Sequence, residues 1–141
     1  MPVQAAEIET GNLSTLDHQR VIKKLIVKLD RLFEEGKFNF EVLPEADIDP
    51  GNSESKCPDI QFRDNENLSV PVIIEVATHF GWRSDFRKLR KLIDETEFGI
   101  QEGFVLDFQT REWHKYSKQG GGDLKRPFWS DVLKMDMRSL L

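Results

Sequence analysis

The segment from Val70 to Ala77 constrains the fold more than any other part of the sequence. It reads Val-Pro-Val-Ile-Ile-Glu-Val-Ala, an apolar and largely β-branched run interrupted by one charged side chain, Glu75. Because asparagines precede it and Gly81 follows it, the pattern predicts a strand that is covered on both faces. An ionised carboxylate in such a strand needs a partner, a metal ion or a proton. Glu75 is therefore the first candidate functional residue.

A second carboxylate, Asp59, lies in the segment 58–63, where polar and apolar residues alternate as in a strand with one buried face. A polar turn separates this segment from the strand that contains Glu75, so we expect the two strands to pair as neighbours. Asp59 and Glu75 would then lie side by side. Two carboxylates suit Mg²⁺, which also binds water and phosphate oxygens, and cleavage of a phosphodiester bond is a natural use of such a site.

Length and composition are those of one ordinary globular domain. The chain has 141 residues, of which 38% are hydrophobic and 32% charged. We expect residues 1–12 to form a flexible lead-in and residues 13–141 to form a single domain. No apolar run reaches membrane-spanning length and the N-terminus lacks the regions of a signal peptide, so a cytoplasmic location without membrane contact is expected.

Two further features of composition limit the function. Cys57 is the single cysteine, so it forms no intramolecular disulfide, and we expect it to be a small buried apolar residue. The net charge of −5 argues against a protein that coats nucleic acid through its overall field. A local basic patch can still bind nucleic acid.

The rest of the sequence alternates between helix and strand periodicity, which predicts an α/β fold. The first predicted elements are a helix that begins at the capping box Ser14–Asp17 and stops at Gly36, a strand over 37–43 ended by Pro44 and a turn-rich connection over 47–53. After the central strand we expect a helix over about 84–95, a strand over 103–107 whose last residue caps a turn, and its hairpin partner at 113–116. A glycine connection at 120–122 then leads to an apolar tail over 128–141 that docks on the body.

Helical geometry selects the side chains that can approach the two acids. On the helix over 84–95, Lys88 lies at the margin of the apolar stripe, about a right angle from its centre, whereas Lys91 points away. Asp85 lies within the stripe at the helix start, where we expect it to cap backbone N–H groups. His18 lies one turn before Ile22 on the apolar side of the first helix. It points toward the sheet, where a hydrogen bond to a nearby loop is the simplest explanation.

The order of these segments resembles a known family. A helix with a histidine near its start precedes Pro-Asp-Ile, Glu-Val-Ala, a basic helix with Lys-Leu, Phe-Val-Leu-Asp and an aromatic hairpin. This order is similar to that of the Uma2-like endonuclease family, within the PD-(D/E)XK or restriction-endonuclease-like superfamily. The resemblance covers roughly His18 to Tyr116. It implies a restriction-endonuclease-like core, in which helices flank a central mixed β-sheet.

The resemblance also implies roles for single residues. Asp59 matches the first metal-binding acid of the superfamily and Glu75 matches the second. Ala77 stands where the superfamily usually has a lysine, which in Uma2-like proteins has moved to the following helix. Lys88 is then its replacement, in agreement with the helical angle, and Lys91 is a weaker substitute.

An active site of this kind implies a Mg²⁺-dependent endonuclease of DNA, with Mn²⁺ as a substitute ion. Asp59 and Glu75 would bind the metal, Lys88 would stabilise negative charge, and His18, or less readily Gln19, would contact a phosphate or a metal-bound water. Cationic side chains would receive the nucleic-acid backbone, although a solvated surface explains each of them singly: Arg83, Arg87, Arg90, Lys91, Lys115, Lys118, Lys125 and Arg126.

Two alternatives remain open at this point. Ala77 and the acidic net charge also suit a catalytically inactive protein of the nuclease fold that acts as a nucleic-acid-binding or protein-interaction module. A small α/β domain unrelated to nucleases requires a structural ion pair for Glu75. The sequence does not specify DNA or RNA, the number of strands or the cleavage sequence, and the apolar tail would suit a homodimer.

Overall fold

The computed structural model describes residues 2–49, 56–123 and 125–141, with side chains from residue 15 onward. The described residues form two helices and eight strands and end in a short 3₁₀ helix. The helices are α1 (Pro2–Glu34) and α2 (Trp82–Glu95), the strands are β1 (Glu41–Pro44), β2 (Ile60–Asp64), β3 (Ser69–Ala77), β4 (Glu102–Asp107), β5 (Glu112–Ser117), β6 (Gly121–Asp123), β7 (Trp129–Ser130) and β8 (Met135–Asp136), and the 3₁₀ helix is Met137–Leu140.

Six strands form one mixed sheet in the order β1-β2-β3-β4-β5-β6. Strands β3 and β4 are parallel, and every other neighbouring pair is antiparallel. A parallel pair requires a crossover connection, and α2 supplies it. The predicted α/β fold with a mixed sheet is confirmed, as are the pairing of β2 with β3 and the hairpin of β4 with β5.

The alternation of β3 divides its apolar run between two cores. Val72, Ile74 and Val76 pack on the side of α1, whereas Ile73 and Ala77 pack on the side of α2. The sheet is therefore flanked by one helix on each face, as expected. By the same alternation, the side chain between Ile73 and Ala77, that of Glu75, lies on the α2 face.

Helix α2 lies directly on strand β4. A Cβ atom added at Gly103 would lie 2.7 Å from Cδ2 of Leu89, which is too close for the two to coexist unless one of them shifts. Leu89 and Ile93 are buried on this inner side of α2. The close contact holds the helix low over the sheet, so its neighbouring polar side chains lie near the face that carries Glu75.

The most marked differences from the predicted element boundaries occur in α1, β1 and β6. Helix α1 begins at Pro2, before the segment Ser14–Asp17 that was predicted to start it, because a polar composition without apolar periodicity does not prevent a helical backbone. Strand β1 begins at Glu41 rather than at 37, since Phe38 is buried against the core without a strand partner. Two of the three connecting glycines belong to β6.

Other boundaries agree with the sequence. Gly36, where the first helix was predicted to stop, has a φ of 81° that a glycine adopts without strain. Asp107 accepts hydrogen bonds from the N–H groups of Gln109 at 3.1 Å and Thr110 at 3.2 Å, so it caps the β4–β5 turn as predicted. Of the connection predicted over 47–53, residues from 50 onward lie outside the described residues.

The C-terminal tail docks on the sheet, as its apolar residues predicted. Leu133, Met137 and Leu140 are buried in the core on the α1 side. A polar cluster beneath the tail adds to this attachment, since the Ser130 hydroxyl and the Asp131 and Val132 N–H groups all donate to the buried Glu102 carboxylate. Among the described residues, no helix has both the length and the apolar character needed to cross a membrane.

Candidate functional site

Asp59 lies immediately before β2 and links α1 to β3. Its Oδ2 accepts a hydrogen bond of 2.7 Å from the Val76 N–H and lies 3.2 Å from Nε2 of His18. Because Ile60 pairs with Ile74 in the sheet, the residue before Ile60 continues the line of β2 beside the next residues of β3. The Asp59 carboxylate is thus held in place by one backbone donor and one imidazole.

Glu75 lies beside Asp59, as the sequence predicted. Its Oε1 accepts a long hydrogen bond of 3.4 Å from the Asp59 N–H. Burial, followed by the negative charges of Asp59 and Asp85, raises the pKa of Glu75 from its ordinary 4.5 to about 8. Near neutral pH the site therefore favours a bound proton or a cation at Glu75.

A pocket of about 450 Å³ opens over Glu75, between α2 and the segment that leads into β2. Lys88 lines this pocket together with Glu75, although its side chain is exposed. Lys91 also lines the pocket, so the prediction that it points away is wrong. A long lysine side chain can lean along a helix, so its reach exceeds what the helical angle alone suggests. Both candidate lysines therefore line the same pocket as Glu75.

Asp85 is the site residue whose placement the sequence prediction missed. Gly81 rather than an acid occupies the cap position of α2, and no side-chain hydrogen bond caps the helix. Asp85 instead lines the pocket with Glu75. Burial raises the pKa of Asp85, the Lys88 charge opposes this effect, and the Asp59 charge adds to it. A carboxylate within an apolar helical stripe was the available signal for a third acid at the site.

His18 contacts the site from the opposite face of the sheet. The hydrogen bond with Asp59 raises the pKa of His18, against the lowering effect of burial, and the side chain is 27% exposed. The expected hydrogen bond to a nearby loop is confirmed, with Asp59 as the partner. Gln19, the weaker candidate, donates to Glu45 at 2.8 Å, a contact outside the pocket.

Two other side chains differ from their predictions. Cys57 is exposed rather than buried and lines the pocket, because it precedes Pro58 in a segment outside the strand. Lys115 is 2% exposed and lies 3.4 Å from Glu102 and 2.8 Å from Asp131, so it is not available to a nucleic-acid backbone. The side chains of β5 alternate between the two faces of the sheet, and Lys115 lies on the same buried face as Trp113.

The acids provide a limited set of metal ligands. Within residues 2–49, 56–123 and 125–141, no group of three or more His, Cys, Asp or Glu side chains is arranged to hold a metal ion. Asp59 and Glu75 remain as a pair of neighbouring carboxylates. Burial and the negative charge of Asp59 disfavour the ionised form of Glu75, so a nearby cation would stabilise it. Mg²⁺ commonly binds one or two carboxylates and completes its shell with water and substrate oxygens. The donor set fits such a site.

The raised pKa of Glu75 predicts a pH dependence of stability. Folding takes up a proton at Glu75 between the unfolded pKa of 4.5 and the folded value of about 8. The free energy of unfolding therefore falls as pH rises through this window, by at most about 1.4 kcal/mol per pH unit. We expect wild type to lose on the order of 2 kcal/mol more than Glu75→Gln between about pH 5.5 and 7.5, measured by urea unfolding.

His18 changes stability in the same direction. Its raised pKa stabilises the fold fully below the unfolded pKa of 6.5, and this stabilisation is lost as pH rises through the folded value. The contribution of His18 is present in both proteins, so the difference between them isolates Glu75. Parallel pH profiles for wild type and Glu75→Gln would contradict the assigned pKa.

No protein-family model and no curated protein matches the sequence.

Proposed function

We propose that this chain is a cytoplasmic, divalent-metal-dependent endonuclease that hydrolyses phosphodiester bonds in DNA, with a restriction-endonuclease-like core. The observation that carries the proposal is the contact between Asp59 and Glu75, with Glu75 and Lys88 lining one pocket. These residues come from a loop before β2, from β3 and from α2. The resemblance of segment order to Uma2-like proteins predicts that these residues lie together. Catalysis at a phosphate group would use all three of them.

Each residue has a definite task in this proposal. Asp59 and Glu75 would hold Mg²⁺ or Mn²⁺, which polarises a phosphate and lowers the pKa of a water when bound. Lys88 places a compact cation where negative charge develops on phosphate oxygens. His18 orients Asp59 through their 3.2 Å contact. Asp85 adds a third negative charge beside Glu75, which strengthens the attraction for a cation.

The second candidate function is a catalytically inactive protein of the same fold that binds nucleic acid or another protein. The hydrogen bond from Val76 to Asp59 favours this alternative, since it occupies an oxygen that a metal would otherwise use. Ala77 in the usual lysine position favours it as well. The two functions differ in metal binding, because an inactive module does not need a cation at Glu75.

The test is cleavage by the purified full chain. Fluorescent single-stranded and duplex DNA would be incubated with Mg²⁺, Mn²⁺ or EDTA, and we expect metal-dependent product bands. Calorimetric titration with Mn²⁺ alone provides a readout that does not depend on activity. Cleavage that continues in EDTA would overturn the proposal. Absence of both cleavage and Mn²⁺ binding would favour the inactive module.

Substitution of Lys88 tests the identity of the catalytic cation. We expect Lys88→Ala to lower the cleavage rate about a hundredfold, the loss typical when one group that stabilises developing charge is removed. Lys91→Ala is the matched comparison, because Lys91 lines the same pocket; its rate should fall less. Single-turnover cleavage rates measure both. A larger loss in Lys91→Ala would transfer the role to Lys91.

A further inference from the structure

The loop between β3 and α2 holds an aromatic side chain out in solvent. Phe80 is 96% exposed, although the loop around it is well fixed. Thr78 accepts a hydrogen bond at Oγ1 from the Gly81 N–H at 3.1 Å, and Gln109 accepts one from the His79 N–H at 2.8 Å. Single exposed apolar residues are common on protein surfaces. Here the backbone on both sides is fixed while the phenyl ring contributes nothing to the core.

An oriented imidazole lies next to this ring. Nδ1 of His79 lies 2.7 Å from Oδ2 of Asp107, and Asp107 is completely buried while the His79 side chain is 50% exposed. The two rings, His79 and Phe80, have centroids 6.1 Å apart. Because the pair stands at the carboxyl ends of the parallel strands β3 and β4, it occupies the edge of the sheet where α/β proteins commonly bind ligands.

Three arginines extend from this loop along the exposed side of α2. At 100° per residue, Arg83, Arg87 and Arg90 fall within about 60° of one another and span about 10 Å of helix. All three are exposed, and in the described part of the chain none of them forms an ion pair. Arg83 lies 4.6 Å from the Trp82 ring centre, so its guanidinium is already oriented by stacking. We call Phe80, His79 and these arginines the α2 stripe.

We propose that the α2 stripe binds single-stranded nucleic acid, with an unpaired base stacked on Phe80 and phosphates on the arginines. This inference deepens the proposed nuclease function by naming its substrate class, and it rests on that function for the use of the pocket lined by Glu75 and Lys88. The protein carries a net charge of −5, so a polyanion needs a local cationic surface to approach it. The α2 stripe is such a surface, and its helix also supplies Lys88 to the pocket.

The geometry favours one strand over a duplex. A length of about 10 Å accommodates only two or three phosphates of one strand, because successive phosphates are several ångströms apart. A protruding phenyl ring can stack only on a base whose face is free, and stacking of this kind is usual in proteins that bind single strands. His79, oriented by Asp107, lies beside Phe80 and belongs to the same exposed surface.

Fluorescence anisotropy of the full chain in EDTA tests the inference without cleavage. The probes are a labelled thymidine oligonucleotide of roughly 12 nucleotides, an abasic oligonucleotide of the same length and a duplex. We expect the thymidine strand to bind more tightly than the duplex. Phe80→Ala should weaken binding of the thymidine strand about tenfold but leave the abasic strand unchanged. Leu68→Ala, which removes another exposed apolar side chain, is the matched control.

A triple variant tests the arginines. Replacing Arg83, Arg87 and Arg90 with glutamine should lower the salt slope of single-strand binding by about 2, at roughly 0.7 for each lost phosphate contact. The same change of charge on α1, with Lys23, Lys24 and Lys28 replaced by glutamine, should leave the slope unchanged because these exposed lysines lie elsewhere. Circular dichroism would show that both variants remain folded.

The outcomes separate this inference from the nuclease proposal. Tighter binding of duplex, or equal effects of Phe80→Ala and Leu68→Ala, would overturn it even if DNA is cleaved. Competition by polyglutamate as effective as that of the oligonucleotide would also overturn it, because that polyanion has no bases to stack. Single-strand binding that depends on Phe80 would support it even if no cleavage is found.

Discussion

Replacing Glu75 with glutamine is expected to abolish metal-dependent cleavage while leaving the fold at least as stable near neutral pH. Glutamine keeps the size of the side chain but cannot supply a negative charge to a cation. In the proposed nuclease a bound metal ion would contribute several kcal/mol to stabilisation of the transition state, so its loss would correspond to a rate lower by about a thousandfold or more. Removal of the repulsion between Glu75 and Asp59 opposes any loss of stability.

Cleavage rate, Mn²⁺ affinity and urea unfolding of the same preparation measure these effects. Glu66→Gln is the control, because Glu66 is an exposed acid in the β2–β3 turn and its loss changes net charge equally. We expect the control to keep the wild-type rate. Full activity in Glu75→Gln would show that this carboxylate does not act in cleavage, and an unfolded variant would contradict the burial argument for its raised pKa.

Replacing Lys115 with alanine is expected to lower the free energy of unfolding by about 3–5 kcal/mol, because it leaves a buried carboxylate without its charge partner. Lys115 and Glu102 are each 2% exposed and lie 3.4 Å apart. Glu102 in turn accepts hydrogen bonds from the tail at Ser130 and Asp131. Loss of the lysine should therefore loosen the tail as well as β5, which hydrogen exchange of the tail would detect.

Two comparisons locate the cause of this destabilisation. Asp131 also contacts Lys115, at 2.8 Å, but its side chain is 70% exposed, so Asp131→Asn should cost less than about 1 kcal/mol. Lys118→Ala removes an exposed lysine three residues further along and should change stability little. If Lys115→Ala has the same urea midpoint of unfolding as wild type, the Glu102–Lys115 ion pair does not stabilise the attachment of the C-terminal tail.

The sequence predicted the elements whose pattern is local. The apolar run that became β3, the turn capped by Asp107 and the break at Gly36 each follow from side chains within a few residues of one another. Pairing of β2 with β3 also followed from a short connecting turn. That pairing placed Asp59 beside Glu75, so the central contact of the candidate site could be predicted before the structure.

The sequence by itself determined the α/β alternation and the two acids on neighbouring strands, because strand periodicity and turn residues are properties of short segments. Only the tertiary structure decided that Asp85 joins the acids, that Lys115 is buried in an ion pair and that Lys91 reaches the pocket. The height of α2 over the sheet, set by the contact between Leu89 and Gly103, and the return of the C-terminal tail decide those environments. The periodicity of a segment reports only its own local structure, so it cannot predict which distant segment packs against it.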